Sequence, residues 1–131
     1  MYLGIDYGSK RIGLALAESS GPALPWKIID YHGDVALIEE IKQIVTAEQI
    51  DKIVVGWPLS LQGKVTERTT VTDNFIKALQ AAVDREIIME DERLTSKGAD
   101  VRQDGKPIDD VSAARILQTF IDRHHETSSG I

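Results

Sequence analysis

Tyr2-Leu3-Gly4-Ile5-Asp6-Tyr7-Gly8-Ser9-Lys10-Arg11-Ile12-Gly13-Leu14-Ala15-Leu16-Ala17 opens the chain with a strand, a turn and a second strand. Tyr2–Ile5 is short and apolar, and Tyr7–Lys10 carries turn residues. Arg11–Ala17 alternates well enough to return as an antiparallel partner. The breaker cluster Ser19-Ser20-Gly21-Pro22 separates it from Trp26–Ile29, which extends the meander to a third strand. Beyond that point the apolar period changes. Val35, Ile38, Ile41 and Val45 recur at helical spacing, with Asp34 in the position of an N-cap.

Lys52–Gly56 is a nearly continuous apolar run of strand length, as expected of a strand covered on both faces, and Pro58 ends it. A polar loop through Gln62-Gly63-Lys64 leads to a second helix with Val71, Phe75, Leu79 and Val83 on one face. Glu86–Glu90 is the fifth strand, and a weakly helical stretch around Ser96–Arg102 is broken by Gly105 and Pro107. The last helix begins near Asp109, with Val111, Leu117, Phe120 and Ile121 as its buried stripe. The order predicts an α/β fold with a five-stranded mixed sheet: three antiparallel strands, then alternating helices and parallel strands.

The chain has 131 residues, enough for one domain with a real core, expected over residues 1–123. Residues 124–131 contain few apolar groups and are expected to fray, leaving His124 and His125 solvated. There is no cysteine, which excludes disulfides and thiolate metal sites. No apolar run approaches the ~20 residues that span a bilayer, and charges at Asp6, Lys10 and Arg11 interrupt any leader-like region. A cytoplasmic protein with no membrane contact is expected. The net charge of −6 argues against a protein that merely coats nucleic acid, since neutralising phosphate needs cations.

Three acidic clusters can carry chemistry. Asp6 follows the first strand, and a carboxylate there needs a cation or backbone donors as partners, although it can also organise its own turn. Asp91-Glu92-Arg93-Leu94-Thr95-Ser96 leaves the fifth strand at its carboxyl end, where open α/β sheets bind ligands. Adjacent strand residues point to opposite faces, so one of Asp91 and Glu92 shares the face of Asp6. Asp109 and Asp110 start the last helix, where the dipole alone would favour acids. The small residues Ala113 and Ala114 let that helix lie close to the sheet, which would carry Asp109 toward the strand ends. Converging carboxylates of this kind suit hard cations such as Mg²⁺ or Mn²⁺. Two such ions roughly 3.5–4 Å apart can activate water and stabilise the leaving oxygen of a phosphodiester.

These segments together resemble a known family. Gly4-Ile5-Asp6-Tyr7-Gly8-Ser9-Lys10-Arg11-Ile12-Gly13-Leu14-Ala15 is similar to the first motif of the YqgF, or RuvX-like, family of Holliday junction resolvases, also described as pre-16S ribosomal RNA nucleases. Val54-Val55-Gly56-Trp57-Pro58-Leu59 resembles its second motif, and Asp91 through Ser96 its third. Ile108-Asp109, with Ala113-Ala114 and Ile116-Leu117-Gln118, resembles its fourth.

The resemblance implies a ribonuclease H-like fold and a nuclease that hydrolyses phosphodiester bonds in structured RNA or branched DNA. It implies Asp6, Glu92 and Asp109 as catalytic, metal-holding acids for Mg²⁺ or Mn²⁺. Lys10, Arg11, Arg68 and Arg93 flank the motifs and are expected to contact phosphate. Lys97–Pro107 is shorter than the family's lysine-rich stretch and includes Asp100 and Asp104, so a weaker cationic wall is expected. The acidic balance also admits a second expectation, a nucleic-acid or ribosome-associated binding module without catalysis. A monomer or a homodimer is expected, and resolving a junction would need two active sites and hence a symmetric dimer.

Overall fold

The computed structural model describes residues 1–91 and 108–129, with the side chains of the last helix described through His124. Within them lie strands β1 (Tyr2–Tyr7), β2 (Arg11–Ala17) and β3 (Leu24–Asp30), then helix α1 (Asp34–Ala47), β4 (Lys52–Trp57), α2 (Glu67–Ala82), β5 (Glu86–Asp91) and α3 (Asp109–Ser129). The sheet order is β3-β2-β1-β4-β5. β1, β2 and β3 pair antiparallel, whereas β4 lies parallel to both β1 and β5. This is the expected five-stranded mixed sheet. The stretch from Glu92 to Pro107, including the expected helical turn at Ser96–Arg102, lies outside the described residues.

Side-chain alternation sorts the sheet into two faces. Leu3, Ile5, Tyr7, Ile12, Leu14, Ile53 and Val55 pack on α1 and α2 through Ile41, Ile44, Phe75 and Leu79. On the opposite face Ala15, Ala17 and Val54 pack on α3 through Ala113, Ile116, Leu117 and Phe120. Fully burying a large aliphatic or aromatic side chain contributes ~1.5–3 kcal/mol, so two cores clamp the central strands β1 and β4. Among the described residues no helix is long and apolar enough to cross a membrane.

Several local expectations are corrected by packing. Asp6 lies inside β1, paired in register with Gly13, because the β1–β2 ladder runs on to Tyr7↔Ile12. Gly33 caps α1, so Asp34 falls on the first helical turn, where its carboxylate accepts two tyrosine hydroxyls instead of capping. Val35 is 85% exposed and Val71 38%, while Leu37 and Ile44 of α1 and Thr69 and Thr72 of α2 turn inward. The threonines are tolerated because their hydroxyls donate to the carbonyls of Pro58 and Arg68. Helix α3 extends from Asp109 to Ser129. The His124 ring lies on Phe120, with centroids 4.0 Å apart.

Candidate active site

Position along β1 decides which side chains face α3. Gly4 meets this helix directly: a Cβ there would lie 2.8 Å from the Ala113 carbonyl oxygen and from Leu117 Cβ. Asp6 has the same parity as Gly4, so it points to the α3 face just beyond the helix's first turn. Its cross-strand neighbour Gly13 carries the start of α3, since a Cβ at Gly13 would sit 1.9 Å from the Asp109 carbonyl oxygen. Two glycines and a fully buried Ala113 therefore let α3 rest on the β1–β2 backbone. The consequence is that Asp6 and Asp109 line one cleft of about 390 Å³.

The remaining walls are the turn Tyr7–Arg11, Pro58 and Arg68. Lys10 is exposed on the turn, which is held where the Tyr31 N–H donates to the Lys10 carbonyl at 2.9 Å. Arg11 Nε donates to Asp109 Oδ2 at 2.9 Å. Arg68 stands in the first turn of α2 and donates to the Tyr7 carbonyl, its guanidinium 5.0 Å from the centre of the Tyr7 ring. Two carboxylates and three cations thus share one polar concavity, beside which the N-termini of α2 and α3 favour negative groups.

Behind the cleft lies an anchor absent from the sequence-based expectations. Tyr7 points away from Asp6 and stacks on Phe75, with centroids 4.3 Å apart and planes 6° from parallel. Its hydroxyl donates to Asp34 Oδ1 at 2.6 Å, and Tyr31 donates to the same oxygen at 2.7 Å. Burial, followed by these contacts with Asp34 and Tyr31, pushes the Tyr7 phenol well above its ordinary pKa. The carboxyl end of β4 is tied to α2 by Trp57 Nε1 donating to Asp73 Oδ1 at 2.7 Å. Tyr7 borders Asp6 in sequence, but Tyr31 and Asp34 at its hydroxyl lie 24 and 27 residues away, so only the fold reveals them.

Of the expected site residues, Asp6, Asp109, Lys10, Arg11 and Arg68 all line the cleft. Glu92 and Arg93 lie outside the described residues. In β5, Ile88 packs on the α3 core, and Glu90, 2% exposed, pairs with Arg123 of α3; Asp91 has the opposite parity and is in register with Trp57. Among the described residues no group of three acids or histidines gathers around one point. The two acids that line the cleft offer only oxygen donors, a set that fits a hard divalent cation.

The comparisons agree with this architecture. The family model described as RuvX: Holliday junction resolvase matches residues 1–123. A protein of Maridesulfovibrio salexigens named "Putative pre-16S rRNA nuclease" is 35% identical over 92% of this chain and 97% of its own length. One of the same name from a Sulfurihydrogenibium species is 37% identical over 92% of this chain and 89% of its own. Among solved structures, Thermus thermophilus RuvC in complex with a Holliday junction substrate matches with a TM-score of 0.61 at 11% identity, covering 96% of each chain. The fowlpox virus Holliday junction resolvase matches with a TM-score of 0.52 at 12% identity, over 93% of this chain and 98% of that one. These structures share the ribonuclease H-like fold. With the family's motifs in order along nearly the whole chain and its fold in place, the protein belongs to the RuvX Holliday junction resolvase family, a family of nucleases.

Proposed function

We propose that the protein is a metal-dependent endonuclease that hydrolyses phosphodiester bonds in structured nucleic acid, acting in the cytoplasm on precursor 16S rRNA at its 5′ end or on a Holliday junction. The observation that carries this reading is the meeting of Asp6 and Asp109 in one cleft with Lys10, Arg11 and Arg68. Names carried by the relatives favour the rRNA substrate, and the family's description as Holliday junction resolvases, with one fold neighbour solved on such a junction, favours the junction.

In this reading Asp6, Asp109 and Glu92 hold Mg²⁺ or Mn²⁺. Glu92 is chosen over Asp91 because it matches the acid of the family's third motif. Bound there, such ions lower the pKa of an attacking water and neutralise charge developing on phosphoryl oxygens. The chain's own part is placement. Lys10, Arg11, Arg68 and Arg93 would bind the phosphates flanking the scissile one, and Arg68 also fixes the backbone beside Asp6 through the Tyr7 carbonyl. Water adds to phosphorus, one ester P–O bond breaks, and the products are a phosphomonoester end and a hydroxyl end.

The Arg11–Asp109 ion pair, which occupies one of the two cleft carboxylates, favours a second reading, a binding module that holds nucleic acid without cutting it. Incubation with Mn²⁺ or Mg²⁺ separates the two. Cutting of a precursor rRNA or a four-way junction supports the nuclease, whereas metal-indifferent binding without cutting supports the module.

A further inference from the structure

We infer that Arg11 is a placeholder cation: its guanidinium occupies the Asp109 carboxylate until a divalent ion takes that carboxylate, and the released guanidinium then grips a substrate phosphate. The inference rests on the reading of Asp109 as a metal ligand and adds to it a coupling between metal and nucleic acid.

The geometry supports an exchangeable pair. Arg11 Nε lies 2.9 Å from Asp109 Oδ2, with the two side chains 43% and 23% exposed, so the contact sits at the surface of the cleft. A pair that accessible to solvent is weak enough to be exchanged. Both backbones are fixed. Arg11 starts β2 and is in register with Asp30 of β3, and Asp109 is seated on Gly13. Only the side chains have freedom to change partners.

Electrostatics supplies the reason for such a contact. Asp6 and Asp109 are like charges lining one cleft, and a guanidinium on Asp109 offsets their repulsion before metal arrives. A divalent ion competes for the same oxygen with twice the charge. Guanidinium is also weakly hydrated and forks onto phosphate, so it is well suited to its second partner. If metal frees Arg11 for phosphate, metal and nucleic acid must raise each other's affinity by the same factor.

Calorimetric titration of Mn²⁺ alone into the metal-free full chain tests this without a turnover assay. Arg11→Gln should bind Mn²⁺ about two- to five-fold more tightly than wild type, the range expected for loss of one exposed competing pair. Arg11→Lys, which keeps a charge but loses the fork, should fall between them. In an Asp109→Asn background the gain from Arg11→Gln should vanish, because the cycle removes the competed ligand. Thermal melts establish that each variant is folded, and Arg11→Lys carries the comparison if Arg11→Gln is not. Equal or weaker Mn²⁺ affinity in folded Arg11 variants overturns the placeholder role and leaves the nuclease reading standing. Failure of both wild type and the Arg11 variants to take up Mn²⁺, even at millimolar concentration, overturns the metal-ligand reading and the inference with it.

Discussion

The Asp109 carbonyl oxygen lies where a side chain at Gly13 would be, only 1.9 Å from an ideal Cβ at that position. Because Gly13 is in register with Asp6, this contact between helix and strand also sets the neighbourhood of the two acids.

Gly13→Ala should therefore damage both stability and the site. The clash is with backbone, which cannot step aside like a flexible side chain, and overpacking of this kind costs ~1–3 kcal/mol. Urea denaturation should show a lower midpoint, and cleavage should fall further than stability explains as Asp109 is displaced. Unchanged stability and activity would mean that α3 is seated differently.

Much of this was legible in the sequence, and the boundary between what was and was not has physical causes. The order of elements along the chain follows from apolar period and breakers, and Asp6, Asp109, Lys10, Arg11 and Arg68, named from the motifs and their flanks, all line one cleft. Gly13 sits inside the second strand and its small size allows a close approach there, but which atom fills the space above it depends on a residue 96 positions later. The Tyr7–Asp34–Tyr31 anchor was hidden for the same reason, and Asp34 looked like a cap because caps are what helix-start aspartates commonly do. Val35 and Val71 were assigned to buried stripes because periodicity cannot tell how a helix is rotated against its sheet.

Tyr7→Phe should retain the stack on Phe75 and lose the hydrogen bond to Asp34, a change of about 0.5–1.5 kcal/mol near neutral pH. The raised phenol pKa also sets a direction with pH. The folded state holds this proton more tightly than the unfolded chain, so the stabilisation is fully present below ~10 and declines as pH rises above it. Melts in alkaline buffer should show wild type losing its advantage over Tyr7→Phe. An advantage that grows above that pH would contradict the account.

Arg123→Ala should lower stability by about 1–3 kcal/mol, because Glu90 is 2% exposed and would be left as a buried carboxylate without this guanidinium. Replacing both partners, Glu90→Met with Arg123→Ala, should recover part of the loss by removing the buried charge. Chemical denaturation of the three variants measures this directly, and equal stability throughout would show that the pair contributes nothing.

Arg68→Ala should weaken nucleic-acid binding and reduce the slope of log affinity against log salt by ~1, the signature of one lost phosphate contact. Loss of its bond to the Tyr7 carbonyl should cost stability as well. An unchanged salt slope with reduced stability would assign Arg68 a purely structural role.

The most direct measurement is cleavage by wild type and Asp6→Asn in Mn²⁺ or Mg²⁺, with precursor 16S rRNA, a four-way DNA junction and single strands side by side and a chelator control. Metal-dependent cutting of a structured substrate is expected. Asp6→Asn should reduce it by more than the ~10–100-fold that losing a mere supporting partner of a metal ligand costs, while the melt stays that of a folded protein. Wild-type cutting that survives the chelator, or undiminished cutting by folded Asp6→Asn, would contradict the metal-dependent mechanism.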